Sequence, residues 1–586
     1  MNYNIHCKKS VIEKKIEEFF EKGPFKISNI QTYYPIMDNY YRHHFKNNSN
    51  LEFKNRYNIR SIFNEQLDTE YNFKSNKIYS SMIYDNYTKK TFKKDVFFKM
   101  NSILNPITFI KDKYSWDTNT NLPFYKKDHM RKINKLLRKN NSAYIDSFCT
   151  FICGKIVDNN LCPNFPKYFG SYCGVMEKFW FDLSDEYEIY NDKDWFQENL
   201  KNNKFEISKV NKSNVTIHKN SFSSLESKIS ENSNLINKNL LEKLELLENT
   251  SLTEFSSFDN LNESESNSEQ STKSGNSLME IQQSENNIII EGEQMELENN
   301  LIETISNLSM TSVSNNSMSC EPELVVYGVI KDVPVNCIIT ECLDGTLEQI
   351  LSKDKRELDK IDSLDIYSSP DFKKIEKRWI SYMWQISFAL AIAQKYIKLT
   401  HNDLHSNNIM FKKTNLKYLY YEFNKNYYQV PTNGYILKII DFGRAVFKLN
   451  EKIYFSDVFE FNGDAGEQYS YPYEKSKMSD VYPNMSFDLS RLSSSIFDDL
   501  FPIPPHNYEF SSSIFNDENN LYNLLFSWIN DKNGNLVTRF DDFNLYKTIA
   551  RDVNSAIPHE QLKKEIFNIF KVDKLHIPKK EMIYKY

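Results

Sequence analysis

The sequence predicts an α+β fold in which strands dominate the N-terminal part and helices the C-terminal part. Strand-like apolar runs between residues 70 and 110 predict a sheet in the first part. The composition changes sharply over residues 251–320, which predicts an insert without a core of its own. A 3.6-residue apolar periodicity predicts a long helix in the second part, with one face formed by Ile380, Met383, Ile386, Leu390, Ala393 and Ile397.

The elements follow one another in five segments. They are an N-terminal extension, a strand-rich part, the insert, a short part that ends in a further strand, and a mainly helical part: residues 1–70, 71–200, 201–320, 321–345 and 346–586. In the extension, Ile12, Ile16, Phe19 and Phe20 predict a short amphipathic helix. In 251–320, 38 of the 70 residues are Ser, Asn or Glu. Since so little apolar surface cannot offset the entropy cost of folding, we expect the insert to be disordered.

The overall composition excludes several classes of protein. The 586 residues carry a net charge of −6, so no global positive field favours nucleic acid. Eight cysteines show no metal-ligand spacing such as Cys-x-x-Cys, which is typical of reduced thiols in a reducing compartment. The first residues lack an apolar signal core, and no apolar run reaches the length of about 18 residues that a spanning helix needs. We therefore expect a cytoplasmic protein that does not associate with membranes.

Two short stretches carry the chemistry, THNDLHSNNIMF at residues 400–411 and KIIDFGRA at residues 438–445. Phosphoryl transfer needs a carboxylate that orients the attacking hydroxyl and accepts its proton. It also needs oxygen ligands that hold magnesium against the nucleotide phosphates. A His-x-Asp followed five positions later by Asn, and then a strand that ends in Asp-Phe-Gly, supply both. We assign Asp403 as the base and Asn408 and Asp441 as the magnesium ligands.

Both stretches resemble the protein kinase superfamily. More narrowly, they resemble the serine/threonine kinases of large nucleocytoplasmic DNA viruses, of mimivirus and iridovirus type. The narrower resemblance also rests on DVFFKMNSILNP, NSAYIDSF, YYQVPTNGYILKIIDFGRA, NMSFDLSRLSSSIFD and DDFNLYKTIARDV, which begin at residues 95, 141, 427, 484 and 541. The resemblance implies a bilobal protein-kinase-like fold. Residues 71–200 and 321–345 would form a small β-rich N-lobe that contains the insert and ends in the hinge, and residues 346–586 would form a larger, mainly helical C-lobe. The resemblance also implies ATP and Mg²⁺ as cofactors. It implies transfer of the γ-phosphate to a serine or threonine of a protein substrate, in a host cytoplasm or a virion.

The resemblance also implies a nucleotide site. Lys99, at the end of an apolar strand, would contact the α- and β-phosphates. Asp146 would be its acidic partner on the following helix, and a helix-capping or surface role is the alternative for this residue. Residues 336–341 correspond to the strand that leads into the hinge. There Thr340 would guard the back of the pocket, and Glu341 and Leu343 would lie where backbone groups bond the adenine edge.

Several positions depart from the kinase pattern. No glycine lies between Gly23 and Gly154, where a glycine-rich loop over the phosphates is expected. Asn402 replaces the usual arginine, so activation by phosphorylation of the activation loop is not expected. His405 replaces the usual lysine, and it either contacts the γ-phosphate or structures the loop. Asp488 would bond the backbone of the catalytic loop from the central helix of the large lobe.

These departures leave two alternative functions open. The pattern His-x-Asp-Leu-His also resembles small-molecule phosphotransferases that share the fold. The missing glycines favour a pseudokinase, a folded binding scaffold, whereas the intact Asp403, Asn408 and Asp441 disfavour it.

Overall fold

The computed structural model describes residues 5–41, 51–63, 77–114, 122, 134–211, 324–361, 367, 369–460, 463–466, 468–469, 483–501 and 520–586. Within the predicted insert, residues 201–320, it describes only 201–211. The interpretation of the rest of the insert therefore lies outside the described residues and stays a prediction.

The described residues form a mixed α/β fold. Its strands are β1 (Cys7–Lys9), β2 (Ile27–Gln31), β3 (Leu51–Phe53), β4 (Tyr57–Phe63), β5 (Ile78–Asp85), β6 (Lys90–Ser102), β7 (Tyr168–Asp182), β8 (Glu206–Asn211), β9 (Leu324–Glu341), β10 (Gly345–Thr346), β11 (Ile409–Lys413), β12 (Tyr418–Phe423), β13 (Asn426–Pro431), β14 (Tyr435–Ile439), β15 (Val446–Leu449), β16 (Lys452–Phe455), β17 (Lys571–Val572) and β18 (Ile583–Lys585). Its α-helices are α1 (Lys14–Lys22), α2 (Pro106–Ile110), α3 (Asn134–Leu137), α4 (Ser142–Asp158), α5 (Ser184–Tyr190), α6 (Asp194–Lys201), α7 (Leu347–Leu358), α8 (Pro370–Ile397), α9 (Phe487–Leu500), α10 (Leu521–Trp528), α11 (Asp542–Asp552) and α12 (Pro558–Gln561).

The largest sheet has seven strands. Six of them follow the order β2-β7-β9-β6-β5-β4, each antiparallel to its neighbour, and β8 pairs with β9. Helix α1 buries Ile16, Phe19 and Phe20 in the core beside this sheet, as its periodicity predicts. The segment that the sequence assigns to an N-terminal extension thus supplies α1, β2 and β4, and it shares the core of this sheet.

Helix α8 is the longest helix in the described residues, and it leads into the predicted catalytic loop. Ser369 caps its N-terminus by accepting a hydrogen bond from the amide of Phe372 at 3.1 Å. The predicted apolar face is buried throughout, with Ile380, Met383, Ile386, Leu390, Ala393 and Ile397 each at most 5% exposed. Lys398 ends the helix in the left-handed conformation, with φ of +50°. The loop at residues 400–408 therefore starts from a rigid, buried support.

Two smaller sheets contain the strands β11 to β14, which follow this loop in the sequence. Strands β10, β11 and β14 form one sheet, and β17, β13, β12 and β18 form another. The Tyr-rich segment 416–428 makes most of the β12–β13 hairpin, whose Tyr428 ring lies 4.3 Å from the Trp384 ring of α8.

No helix in the described residues combines the length and the apolar character that crossing a membrane requires. The bilobal kinase arrangement stays a prediction.

Candidate functional site

Pairing between β11 and β14 brings Asn408 and Asp441 to one end of a sheet. The strands are antiparallel, with Ile409 opposite Ile439, so the residue before β11 and the residues after β14 share that end. The amide of Ile440 donates to the carbonyl of Asn408 at 3.0 Å. Asp441 then adopts φ of +66°, a left-handed conformation that aspartate tolerates better than most residues.

Lys99 on β6 contacts two of the predicted site carboxylates. Its Nζ lies 2.6 Å from Oδ2 of Asp146 and 2.8 Å from Oδ1 of Asp441. Burial alone would lower the pKa of Lys99, but the two carboxylates raise it above its ordinary value. Burial alone would raise the pKa of Asp441, but the Lys99 ammonium holds it below its usual range. Lys99 and Asp441 are therefore both charged at neutral pH.

Asp146 is a buried partner of Lys99, and its side chain is only 2% exposed. Its Oδ2 also accepts from Nδ2 of Asn101 at 2.7 Å, and its Oδ1 accepts from the amide of Phe442 at 2.9 Å. The N-cap of α4 is Asn141, whose side chain accepts from the amide at position 143. The capping and surface alternatives for Asp146 therefore do not describe this side chain.

A network of hydrogen bonds to the backbone fixes the predicted catalytic loop. Asp488 of α9 accepts from the amides of His401 at 2.9 Å and Asn402 at 3.0 Å, which confirms the role predicted for it. The Nε2 of His401 donates to the carbonyl of Ile440 at 2.7 Å, and its Nδ1 accepts from the amide of Asp403 at 3.3 Å. His401 thereby links the loop that carries the predicted base to the segment that carries Asp441.

One carboxylate oxygen of Asp403 accepts a hydrogen bond from a neighbouring side chain, and the other has only a distant contact. Its Oδ1 accepts from the Tyr546 hydroxyl at 2.7 Å, and its Oδ2 lies 3.9 Å from Nε of Arg444. The side chain is 24% exposed. The amide nitrogen of Asn408 donates to the Asp403 carbonyl at 2.8 Å, which leaves the amide oxygen of Asn408 as its atom for a cation.

His405 bonds within the loop. The backbone amide of Asn407 lies 3.3 Å from Nδ1, and Nδ2 of Asn408 lies 3.1 Å from Nε2. Both neighbours are donors, so a protonated ring, which has no acceptor, would fit this position poorly. Burial lowers the pKa of His405, in agreement with a neutral ring. The geometry favours the loop-structuring role over contact with a phosphate.

Asn402 is also buried and bonds within the protein. Its Nδ2 donates to the carbonyls of Thr400 at 3.3 Å and Arg444 at 3.1 Å. The Tyr469 hydroxyl donates to its Oδ1. A neutral amide thus holds the segment that follows Asp441, in a position where kinases usually carry an arginine.

The three predicted hinge residues lie at the end of β9. Thr340 is half-buried opposite Phe97 of β6, and Leu343 is half-buried beyond the strand. The Glu341 carboxylate is buried, 2.6 Å from Nζ of Lys438, and it accepts from the amide of Lys167 at 3.0 Å. The side chain of Glu341 therefore serves the fold, and its backbone amide is also used within the chain, donating to the carbonyl of Lys167 at 3.0 Å.

The segment that would cover the phosphates joins β4 to β5. These residues, 64–76, contain no glycine and lie outside the described residues. The prediction that a glycine-rich loop is missing thus rests on the sequence alone.

Sequence reasoning missed several neighbours of the site. Asn101 follows Lys99 at the two-residue period that places side chains on one face of a strand, so this signal was available. Tyr546 contacts Asp403 across 143 residues of sequence, and Arg491 stacks on the Tyr546 ring with Cζ 4.9 Å from its centroid. No sequence pattern marks either contact.

Comparison with known proteins gives local similarity to a protein kinase. No family model matches the chain. The serine/threonine-protein kinase haspin of Mus musculus is 36% identical over 78 residues, and that of Bos taurus is 35% identical over 78 residues. The match covers 13% of this chain and 10% of each haspin chain. It indicates a protein-kinase-like chain at most and does not support the narrower resemblance to viral kinases.

Proposed function

We propose that the chain is an ATP- and magnesium-dependent protein kinase with a bilobal fold, which transfers the γ-phosphate to a serine or threonine hydroxyl of a protein. The observation that carries this proposal is the joint contact of Lys99 with Asp146 and Asp441, next to the loop of Asp403 and Asn408. The local similarity to haspin supports a protein acceptor.

The oxygen groups of the site fit magnesium. The described residues contain no group of three or more His, Cys, Asp or Glu side chains that could hold a metal ion. Magnesium needs no such group, because it is usually held by one or two protein ligands together with substrate phosphates and water. The ionised Asp441 and the amide oxygen of Asn408 supply such ligands. When bound, the ion would neutralise charge on the phosphate oxygens.

Each of the site residues has a separate role in this proposal. Lys99 would exchange part of its contact with Asp441 for the phosphates, while Asp146 keeps it oriented. Asp403 would orient the acceptor hydroxyl and accept its proton at Oδ2, because Oδ1 is already occupied by Tyr546. His405 and Asn402 would hold the loop in this geometry without adding charge, so no phosphate on the activation segment would be required.

A phosphate-incorporation experiment tests the proposal. The purified chain is incubated with ATP and Mg²⁺ in the presence of generic proteins or small alcohols, and phosphate is located on these acceptors and on the chain itself by mass spectrometry. We expect phosphoserine or phosphothreonine on proteins, lost in Asp403→Asn and kept in Asp359→Asn, which alters an exposed aspartate at the end of α7. Phosphate on small alcohols alone would favour the small-molecule kinase. Binding of ATP without phosphate transfer would favour the pseudokinase scaffold.

A further inference from the structure

Two arginines and a tyrosine surround the predicted base. The guanidinium carbon of Arg491 lies 4.9 Å from the centroid of the Tyr546 ring, and that of Arg444 lies 5.5 Å from it. The same tyrosine donates to Oδ1 of Asp403 at 2.7 Å. Cation–π contact fixes guanidinium groups without neutralising them. The tyrosine therefore holds two positive charges beside the base.

Neither arginine has a close carboxylate partner in the described part of the chain. The nearest carboxylate to Arg444 is Asp403, whose Oδ2 is 3.9 Å from Nε, longer than a charged hydrogen bond. Among the described residues no carboxylate lies within 4.0 Å of the Arg491 guanidinium, and its buried Nε has no hydrogen-bond partner. The contact of Arg491 with Ser494 is a long one, 3.5 Å from Nη1 to Oγ.

The positive charge of the two arginines beside Asp403 is therefore not balanced by an equal number of carboxylates. Two guanidinium groups face one carboxylate, and the ring of the neighbouring His405 carries no negative charge in either protonation state. Both oxygens of the Asp488 carboxylate are already used, since they accept hydrogen bonds from the amides of residues 401 and 402. Half-buried arginines without carboxylate partners are suited to bind carboxylate or phosphate, which they do bidentately.

We propose that Arg444 and Arg491 form an anion-binding subsite beside Asp403, which selects peptides whose acceptor hydroxyl is flanked by a carboxylate or a phosphate. The proposal rests on the proposed kinase function and names its substrate class. Tyr546 preorganises the two guanidinium groups. An incoming anion would also draw Arg444 away from Oδ2 of Asp403, the oxygen that remains for the acceptor hydroxyl.

Peptide binding and peptide phosphorylation test the subsite separately. The probes are fluorescein-labelled peptides with one central serine, flanked by glutamate, by phosphoserine, by alanine or by lysine. Fluorescence anisotropy gives their affinity for the full chain, and the Michaelis constant for each peptide is measured with ATP and Mg²⁺. We expect the glutamate or phosphoserine peptide to bind at least about 10-fold more tightly than the alanine peptide, the scale of one charge-assisted hydrogen bond. Which of the two binds better identifies the anion.

Variants at position 491 then test whether Arg491 causes the preference for glutamate or phosphoserine peptides. We expect Arg491→Gln to remove most of the preference and Arg491→Lys to retain only part of it, because lysine keeps the charge but cannot bind an anion bidentately. Arg491→Glu should shift the preference towards the lysine peptide. Arg551→Gln is the matched control, since Arg551 is exposed on the same helix as Tyr546 and, within the described part of the chain, its side chain donates to the carbonyl of Lys547 alone. Melting temperatures check that each variant is folded.

The outcomes separate the subsite from the kinase function. Equal affinities of the wild-type chain for glutamate, phosphoserine, alanine and lysine peptides would overturn the subsite, even if all are phosphorylated. Preference that survives in folded Arg491→Gln and Arg491→Glu would also overturn it. Arginine-dependent binding of acidic peptides without any phosphorylation would support the subsite and count against the proposed kinase function.

Discussion

The hydroxyl oxygens of Tyr40 and Tyr454 lie 2.6 Å apart, although 414 residues separate them in the sequence. Tyr40 belongs to the N-terminal segment and Tyr454 to β16, in the hairpin that follows Asp441. Phe148 of α4 packs against both, with ring centroids 5.4 Å and 5.2 Å away. One aromatic cluster thus joins the N-terminal segment, the helix that carries Asp146 and the segment after Asp441.

Polar contacts hold the start of the same helix. The amide of Ser142 donates to Oδ1 of Asp457 at 3.0 Å, and the amide of Asp457 donates to the carbonyl of Asn140 at 2.7 Å. Arg138 pairs with Glu460 in the same stretch. Contacts within the chain therefore fix α4 from two sides, with Asp146 facing Lys99.

The first prediction concerns the tyrosine pair. We expect Tyr40→Phe to lower the free energy of unfolding by about 1 kcal/mol, because it removes one hydrogen bond and keeps the ring. It should also raise the Michaelis constant for ATP, since α4 would hold Asp146 less firmly. Denaturant unfolding and ATP titration measure the two effects. Tyr87→Phe, at a site that is 64% exposed, is the control, and the same loss in both variants would contradict the prediction.

The second prediction concerns Lys99 and Asp146. We expect Lys99→Ala and Asp146→Asn each to raise the Michaelis constant for ATP by about 10-fold or more, because each removes a charge-assisted contact that positions the phosphates. The double variant should lose little more than the worse single variant, since both act through one ion pair. Lys90→Ala, on an exposed position of the same strand, is the control. An unchanged Michaelis constant with a large loss of melting temperature would assign Lys99 to the fold.

The third prediction separates the base from the metal ligands. Asp403→Asn should lower turnover by roughly 10²–10⁴-fold, the usual contribution of a general base, and leave nucleotide affinity nearly unchanged. Asp441→Asn should weaken magnesium-dependent nucleotide binding as well, because it removes a formal charge, and Asn408→Ala should do so more mildly. Turnover and ATP affinity are measured across a magnesium titration. If Asp441→Asn keeps both magnesium dependence and turnover, the assignment of this site is wrong.

The parts of the site that the sequence predicts lie in contiguous patterns. Asp403, Asn408 and Asp441 are marked by short motifs next to strands, and α8 is marked by its 3.6-residue period. Residues such as Tyr40 and Tyr546 reach the site only through tertiary packing, which leaves no local pattern. Strand β2 was also missed, because it is short and polar and because Asn29 interrupts its register with φ of +55°.

The predicted hinge shows a further limit of sequence reasoning. The kinase resemblance implied that Glu341 contacts the nucleotide through its backbone, and position alone does not reveal that its carboxylate is buried in an ion pair. Its partner Lys438 comes from β14, 97 positions later (438 minus 341). Lys438 also donates to the carbonyls of Pro163 and Phe165, each 3.0 Å from its Nζ.

The fourth prediction uses this buried pair to relate stability to pH. The two side chains are 5% and 7% exposed, and burial alone would raise the pKa of Glu341. The Lys438 ammonium outweighs burial and holds that pKa below its ordinary value of 4.5. Because the folded-state pKa is the lower one, the pair stabilises the fold fully above the unfolded-state pKa. This stabilisation is lost as the pH falls through the folded-state pKa.

Glu341→Gln should therefore destabilise the protein at pH 7 and make less difference in acid. Removing one partner leaves the Lys438 charge buried and unpaired, which costs roughly 3–5 kcal/mol. Denaturant unfolding at pH 7 and at successively lower pH should show the gap between the wild-type chain and the variant closing as the pH falls below 4.5. A gap that stays constant with pH would show that the ion pair does not stabilise this fold.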